Sequence, residues 1–322
     1  MPVIVLTNHY DKEPLEIISS AVPEGFRLIT LPAATREELL KVCGQADYLL
    51  ASGRVGIDGD VIKAAPKLKM IQRTGVGTDT LDREAISGAG IPVYVNRGVN
   101  ADSVAEHTLM LILATLRRTA IVDSRVRGGI WQKQRTGVGN HMLKGKTVGL
   151  VGAGTVGRRV AELLQAFGVN LIYSDVQNLS AEEEARLNMS FRTFDELLKE
   201  ADVVAFCCAL TDETRHMLNS ENIGTMKQSA VVVNTARGGV IETEALVKAL
   251  ADGTIAAAGI DVYEKEPPAG DNPLFRMGNV ILSPHIAGVT YESFRQMMDE
   301  AMANIKAFEE GRREELADRR FI

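Results

Sequence analysis

Short runs of β-branched and aliphatic residues alternate with segments of helical period along nearly the whole chain. That is the pattern of βαβ units laid into parallel sheets. A first series of strands is expected at 3–7, 27–31, 48–51, 68–73 and 93–96, with helical segments between them. One of these helices opens at Thr35 with Glu38 three residues on, the spacing of a capping box. A second, stronger series falls at 147–151, 171–174, 203–208, 231–234, 256–260 and 280–282. Six strands match a dinucleotide-binding sheet. Residues 101–118 form the longest apolar helix candidate and connect the two series, whereas the glycine-rich, mixed-charge stretch 128–146 predicts an extended surface loop. The segment 291–310 reads as a long helix stopped by Gly311, placed to pack back on the first domain. Two α/β domains are therefore expected, one discontinuous (1–98 with 291–322) and one over 99–290.

The length of 322 residues agrees with two domains, and 45% hydrophobic with 24% charged residues is ordinary globular composition. The 36 Lys and Arg against 42 Asp and Glu give a net charge of −6, with no long basic run, so nucleic acid and anionic lipid would be repelled. The densest apolar run, 109–116, is far short of the ~20 residues a membrane span needs. No basic segment precedes the first apolar residues, so no signal peptide is read there. Three cysteines, Cys43 and the adjacent Cys207 and Cys208, make no disulfide framework and no metal-ligand spacing. The pair reads as small apolar residues in a buried strand. A cytoplasmic protein without a structural metal is expected.

One motif changes the picture. Gly152-Ala153-Gly154-Thr155-Val156-Gly157 directly follows the strand TVGLV and opens the helix RRVAELLQAF. In that context the first glycine permits the tight turn and the second lets backbone approach a pyrophosphate. The third admits close helix–strand packing, while the helix start offers N–H donors and a positive dipole end. Asp175 ends the next strand, where a carboxylate accepts from the adenosine ribose 2′-OH and repels a 2′-phosphate. Val176, Gln177 and Asn178 supply no cation for such a phosphate, so NAD is favoured over NADP.

Three polar residues then fall at or past the carboxyl ends of later strands, where open α/β sheets place their ligand crevice. They are Arg237 in NTARGGV, Glu266 in DVYEKEP and His285 in SPHIAG. Reduction of a 2-keto acid needs these types. A guanidinium binds the carboxylate in bidentate fashion and polarises the adjacent carbonyl. An imidazole moves the hydroxyl proton, and a carboxylate beside it orients the ring and favours its protonated form.

The stretches GVGTDTLD (75–82), VNRGVNADSVAEHTLMLILATLRR (95–118), GKTVGLVGAGTVGRRVA (145–161), TDETRHML (211–218), NTARGGVIETEALVKAL (234–250), AAGIDVYEKEPP (257–268) and NVILSPHIAGVTYES (279–293) carry a resemblance. Together they are similar to the D-isomer-specific 2-hydroxyacid dehydrogenases, which include the phosphoglycerate dehydrogenases. The resemblance implies two Rossmann- or flavodoxin-like domains with an active-site cleft between them, the first binding substrate and the second NAD. It implies Arg237, Glu266 and His285 as the catalytic set and the backbone amides of Val76 and Gly77 as holders of the substrate carboxylate. It implies contacts to the nicotinamide end from Thr235, Ala236, Asp261 and Gly288, cofactor contacts from Arg237 and His285 as well, and backbone from Cys208 on the adenosine side. A homodimer, joined through the region of residues 128–146 and the helix before it, is implied as well.

Ser52 stands where phosphoglycerate-specific members carry a substrate-binding arginine, with Arg54 two residues on, and the sequence ends at Ile322 without room for their regulatory domain. Arg54, and Arg135 reaching a neighbouring subunit, are open options for further substrate contacts. His107, on the apolar connector, is expected to pack or cap rather than act, and His9, His141 and His216 show no partner in the sequence. A formate- or phosphite-type dehydrogenase and a dinucleotide-sensing, corepressor-like protein remain alternatives. Formate enzymes of the family carry glutamine where this chain has Glu266.

Overall fold

The computed structural model describes residues 1–322, which divide into two compact units, Met1–Asn100 with Tyr291–Ile322, and Ala101–Thr290. The first crossing falls at 100/101 rather than the expected 98/99, where the connector helix Ala101–Leu116 begins.

In the first unit, strands β1 (Val3–Leu6), β2 (Arg27–Ile29), β3 (Tyr48–Ala51), β4 (Met70–Arg73) and β5 (Val93–Tyr94) form one parallel sheet in the order β2-β1-β3-β4-β5. This is the flavodoxin-like winding. Alternation of side chains feeds both faces. Val3, Val5, Leu49, Ala51, Ile71 and Val93 pack with Leu39, Ile57 and Ile86 on one side. On the other, Ile4, Leu6, Tyr48, Leu50 and Met70 meet Met297, Met298, Ala301, Met302, Ile305 and Phe308. Those last six lie on one face of the helix Tyr291–Glu309, and this burial is why the terminal segment returns to the first sheet. The Thr35 cap is half of the expected box. Thr35 Oγ1 accepts from Glu38 N at 3.2 Å, but the Glu38 carboxylate takes Lys41 instead.

In the second unit, β6 (Thr147–Val151), β7 (Asn170–Ser174), β8 (Met189–Phe191), β9 (Val203–Phe206), β10 (Val231–Asn234), β11 (Ala257–Ile260) and β12 (Val280–Leu282) form a parallel sheet in the order β12-β11-β10-β9-β6-β7-β8. Seven strands stand where six were expected. The addition, β8, is a three-residue edge strand too short for periodicity to show. The loop expected at 128–146 also carries a short helix, Lys133–Gly137, after the helix Thr119–Arg127. Cys207 and Cys208 lie just past β9 rather than within it, both partly buried.

The winding reverses between β6 and β9, which is where such sheets bind dinucleotides. Register makes that edge even: Val151 faces Phe206, Phe206 faces Asn234, Asn234 faces Ile260, and Ile260 faces Leu282. The residues that follow these strands are therefore delivered side by side.

At the opposite edge, Asp202 holds the strand starts. Its Oδ2 accepts from Thr147 N at 2.8 Å and its Oδ1 takes Lys227 Nζ at 2.9 Å. Burial pushes its carboxyl up, but the Thr147 N–H, the Lys227 hydrogen bond and the nearby lysine charges bring it below the usual range. Because the folded value is depressed, its stabilisation is present above the unfolded value of about 4 and is lost as pH falls through the folded one. Asp202→Ala should cost roughly 1–3 kcal/mol at neutral pH, and this deficit should shrink in acid. Urea unfolding of both proteins at neutral and acid pH checks this, and a deficit independent of pH would contradict it.

Candidate active site

The fingerprint turn leaves β6 at Gly152, whose φ of +100° suits only glycine. A Cβ there would sit 2.8 Å from Cys208 N, so the turn lies hard against the loop after β9. A Cβ on Gly157 would lie 2.1 Å from Gly152 O, so the helix Thr155–Gln165 approaches the turn as closely as backbone allows. Gly154 caps that helix without a side chain, and the first amides, from Thr155, Val156 and Gly157, are left to a ligand or water. Asp175 closes the turn from β7: its Oδ2 accepts from Ala153 N at 2.6 Å and its Oδ1 from Gln177 N at 3.1 Å. A glycine cradle, an uncapped helix start and a carboxylate beside them fit a dinucleotide. Burial pushes the Cys207 and Cys208 thiols up, to about 12 and about 11, which keeps both unreactive.

Beyond β10, Asn234 shapes the next loop. Its side chain accepts from Ala236 N at 3.0 Å and donates to Arg237 O at 2.9 Å. Arg237 itself donates to Ala236 O and its charge reaches Glu266. A Cβ on Gly238 would overlap Tyr263 C at 1.9 Å, so this loop rests directly on the one carrying Glu266. Glu266 Oε1 accepts from Tyr263 N at 3.0 Å, and its Oε2 lies 2.5 Å from His285 Nδ1. Burial alone would push the Glu266 carboxyl up. The hydrogen bonds from His285 and Tyr263 N, with the charges of His285 and Arg237, bring it below the usual carboxylate range. Glu266 is thus ionised at neutral pH, and Nδ1 is the donor in the bond between them.

His285 sits at φ +55°, a left-handed conformation uncommon for a side-chain-bearing residue. The turn is held by Asp261, whose backbone oxygen accepts from His285 N at 2.7 Å. The Asp261 carboxylate is wholly buried. It accepts from Ser283 Oγ at 2.6 Å, Ile286 N at 3.0 Å and Ala287 N at 2.9 Å. The Asp261 carboxylate has no exposed surface, and the polypeptide supplies donors to both of its oxygens. Thr235 is also turned inward, its hydroxyl 2.7 Å from that of Thr108, and Ala236 is buried beside it, whereas Gly288 is partly exposed.

Val76 and Gly77 belong to the first unit, in the turn after β4, where Val76 is exposed and Arg73 Nη1 donates to Ser52 O at 2.6 Å. Arg54 is exposed while Ser52 is buried. Two histidines that lacked a partner in the sequence have one: His9 meets Leu31 O at 2.9 Å, and His216 meets Glu264 at 3.0 Å. The connector helix supplies what the sequence reasoning missed. Ser103 Oγ donates to Ala287 O at 2.7 Å, and His107 Nε2 lies 2.9 Å from Ser283 Oγ. The available signal was the pair 103 and 107, four residues apart on one face of the helix, with Thr108 beside them.

Residues 109–287 match the family described as D-isomer specific 2-hydroxyacid dehydrogenase, NAD binding domain. A glyoxylate reductase of Thermofilum pendens is 42% identical over 279 residues, 86% of this chain and 82% of that protein. Among solved structures, D-lactate dehydrogenase from Aquifex aeolicus, complexed with NAD and lactic acid, has a TM-score of 0.89 at 28% identity, covering 99% of this chain and 98% of that one. A glyoxylate reductase from Paecilomyes thermophila has a TM-score of 0.82 at 32% identity, with 96% of each chain covered. Fold, fingerprint and likeness agree, and the chain belongs to the D-isomer-specific 2-hydroxyacid dehydrogenases, NAD-dependent oxidoreductases acting on the CH–OH group of a 2-hydroxy acid.

Proposed function

We propose that the protein reduces glyoxylate and other short 2-keto acids, with His285 as proton donor, Glu266 as its partner and Arg237 as anchor of the substrate carboxylate. The observation that carries this reading is the 2.5 Å bond between His285 Nδ1 and Glu266 Oε2. Relatives about 40% identical that bear the name glyoxylate reductase support the short substrate. Glu266, rather than glutamine, favours a keto acid over formate.

The roles follow from the groups. With Nδ1 committed to Glu266, the Nε2–H of a protonated His285 is left to meet the keto oxygen. Arg237 grips the carboxylate and draws electron density from the adjacent carbonyl. When bound, NADH would supply a hydride to C2. His285 Nε2 yields its proton to the keto oxygen, and Glu266 keeps the neutral ring oriented. The unit Ala101–Thr290 would hold the cofactor, with the amides of Gly154, Thr155, Val156 and Gly157 for the pyrophosphate, Asp175 for the ribose, Cys208 backbone for the adenosine side, and Thr235, Ala236, Asp261 and Gly288 for the nicotinamide end.

The same reading includes a homodimer in the cytoplasm. Trp131 and Val138 are 82% and 83% exposed, with Val126, Ile130 and Met142 also open, and a second copy would cover this apolar arm. Three free thiols suit a reducing compartment.

Four tests follow from these assignments. His285→Ala should lower kcat by about 10²–10⁴-fold with NADH affinity kept. Glu266→Gln should stay active at a lowered kcat, because the amide oxygen still accepts from Nδ1 but holds the ring less firmly than a carboxylate. NADH binding without turnover of any 2-keto acid, or full activity of His285→Ala, would leave a sensor rather than an enzyme of this mechanism. For the cofactor, kcat/KM with NADH should exceed that with NADPH, and parity would remove Asp175 from the ribose. Light scattering at micromolar concentration should return twice the chain mass, and a monomer would overturn the dimer.

A further inference from the structure

Three polar side chains on the connector helix Ala101–Leu116 reach into the loops of the site. Ser103 donates to Ala287 O at 2.7 Å, His107 Nε2 lies 2.9 Å from Ser283 Oγ, and the Thr108 hydroxyl lies 2.7 Å from that of Thr235. Ser103 and His107 are four residues apart, one above the other on the same face. A helix packed only to fill space would present aliphatic groups there, as it does at Leu111 and Ile112.

The direction of these bonds can be worked out. Ser283 has one hydroxyl proton and gives it to Asp261 Oδ1 at 2.6 Å. Toward His107 its oxygen can then only accept, so His107 carries a proton on Nε2. Burial pushes the His107 imidazole down in pKa, against the pull of the Asp261 charge, which keeps the ring neutral as a single-proton donor. One donor chain therefore runs from His107 through Ser283 to the buried carboxylate. Asp261 in turn accepts from Ile286 N and Ala287 N, and its backbone oxygen accepts from His285 N. The turn so clamped is the one that holds His285 in its left-handed conformation, with Nδ1 on Glu266.

We propose that His107 is a positioning residue of the dehydrogenase: through Ser283 it fixes the Asp261 carboxylate, and through that carboxylate the turn that presents His285 to Glu266. This rests on the assignment of His285 and Glu266 made above. His107 touches neither substrate nor cofactor in this account. It acts by keeping the imidazole in the geometry that proton transfer needs, and a misplacement of about 1 Å at such a group can cost on the order of 10²-fold in rate.

Two replacements separate donation from packing. His107→Phe keeps a ring of similar size without a donor, and His107→Gln keeps an N–H at the reach of Nε2 without the ring. The expected result is a kcat for glyoxylate reduction lowered roughly 10–10²-fold in His107→Phe and in Ser283→Ala. In both, KM for glyoxylate should change little, the split expected when the proton donor is misaligned and the carboxylate anchor is not. His107→Gln should recover most of the rate, and the NADH dissociation constant should be unchanged throughout. Wild-type kcat in His107→Phe or in Ser283→Ala would overturn the proposal. So would His107→Gln being as impaired as His107→Phe, because the donor alone would then not restore the site. If His107→Phe does not fold, Ser283→Ala and His107→Gln decide alone. His285→Ala, measured alongside, keeps the two levels apart. Its full activity would sink the assignment of His285, whereas its inactivity beside normal His107→Phe and Ser283→Ala would sink only the role given to His107.

Discussion

A carboxylate shut away from water must find its donors within the chain, and Asp261 is such a group: it has no exposed surface. Ser283, Ile286 and Ala287 converge on it, and that convergence bends the segment after β12 into a tight turn. His285 stands inside that turn, so its unusual backbone angle is a consequence of where the charge is buried. A neighbouring constraint meets it from the other side, where Tyr263 N and His285 Nδ1 divide the two oxygens of Glu266 between them. The imidazole is thereby fixed by two carboxylates with different tasks, one buried and holding backbone, the other partly open and holding the ring.

The sheet makes this economical. With the carboxyl ends of β6, β9, β10, β11 and β12 in register, five loops begin at one level. The glycine turn and Asp175 occupy the side nearest β6 and β7, and Glu266 and His285 occupy the side nearest β11 and β12. Close backbone approaches at Gly157 and Gly238 draw the loops together, and a side chain at either position would force them apart. In this way the glycine turn and the His285–Glu266 pair are carried by one layer of a single unit.

Most of that architecture was legible in the sequence, because it depends on strong local signals. Eleven of the strands coincide with apolar runs bounded by turn residues, and the fingerprint is contiguous. What was not legible depends on contacts between distant segments. Three-residue β8 exists because β7 offers it a paired edge, and nothing in Met189-Ser190-Phe191 alone demands a strand. Thr35 shows the reverse case, since the Glu38 that would complete its box has a lysine closer to hand. Asp261 stood out only through the resemblance, and the burial of its carboxylate is decided by a segment more than twenty residues later. His107 read as packing for the same reason: its partner Ser283 lies 176 residues away.

The central claim is that the His285 ring, donating through Nδ1 to Glu266, is the group whose protonation governs keto-acid reduction. The most direct measurement is an NMR titration of the labelled His285 ring in the NADH complex with an unreactive keto-acid analogue, set beside the pH profile of kcat. The account predicts that the ring loses its proton over the same pH interval in which the rate falls, with the Nδ1 proton showing the signature of a strong bond to carboxylate. A ring that titrates well away from the rate profile, or one whose Nδ1 carries no proton in that complex, would contradict it.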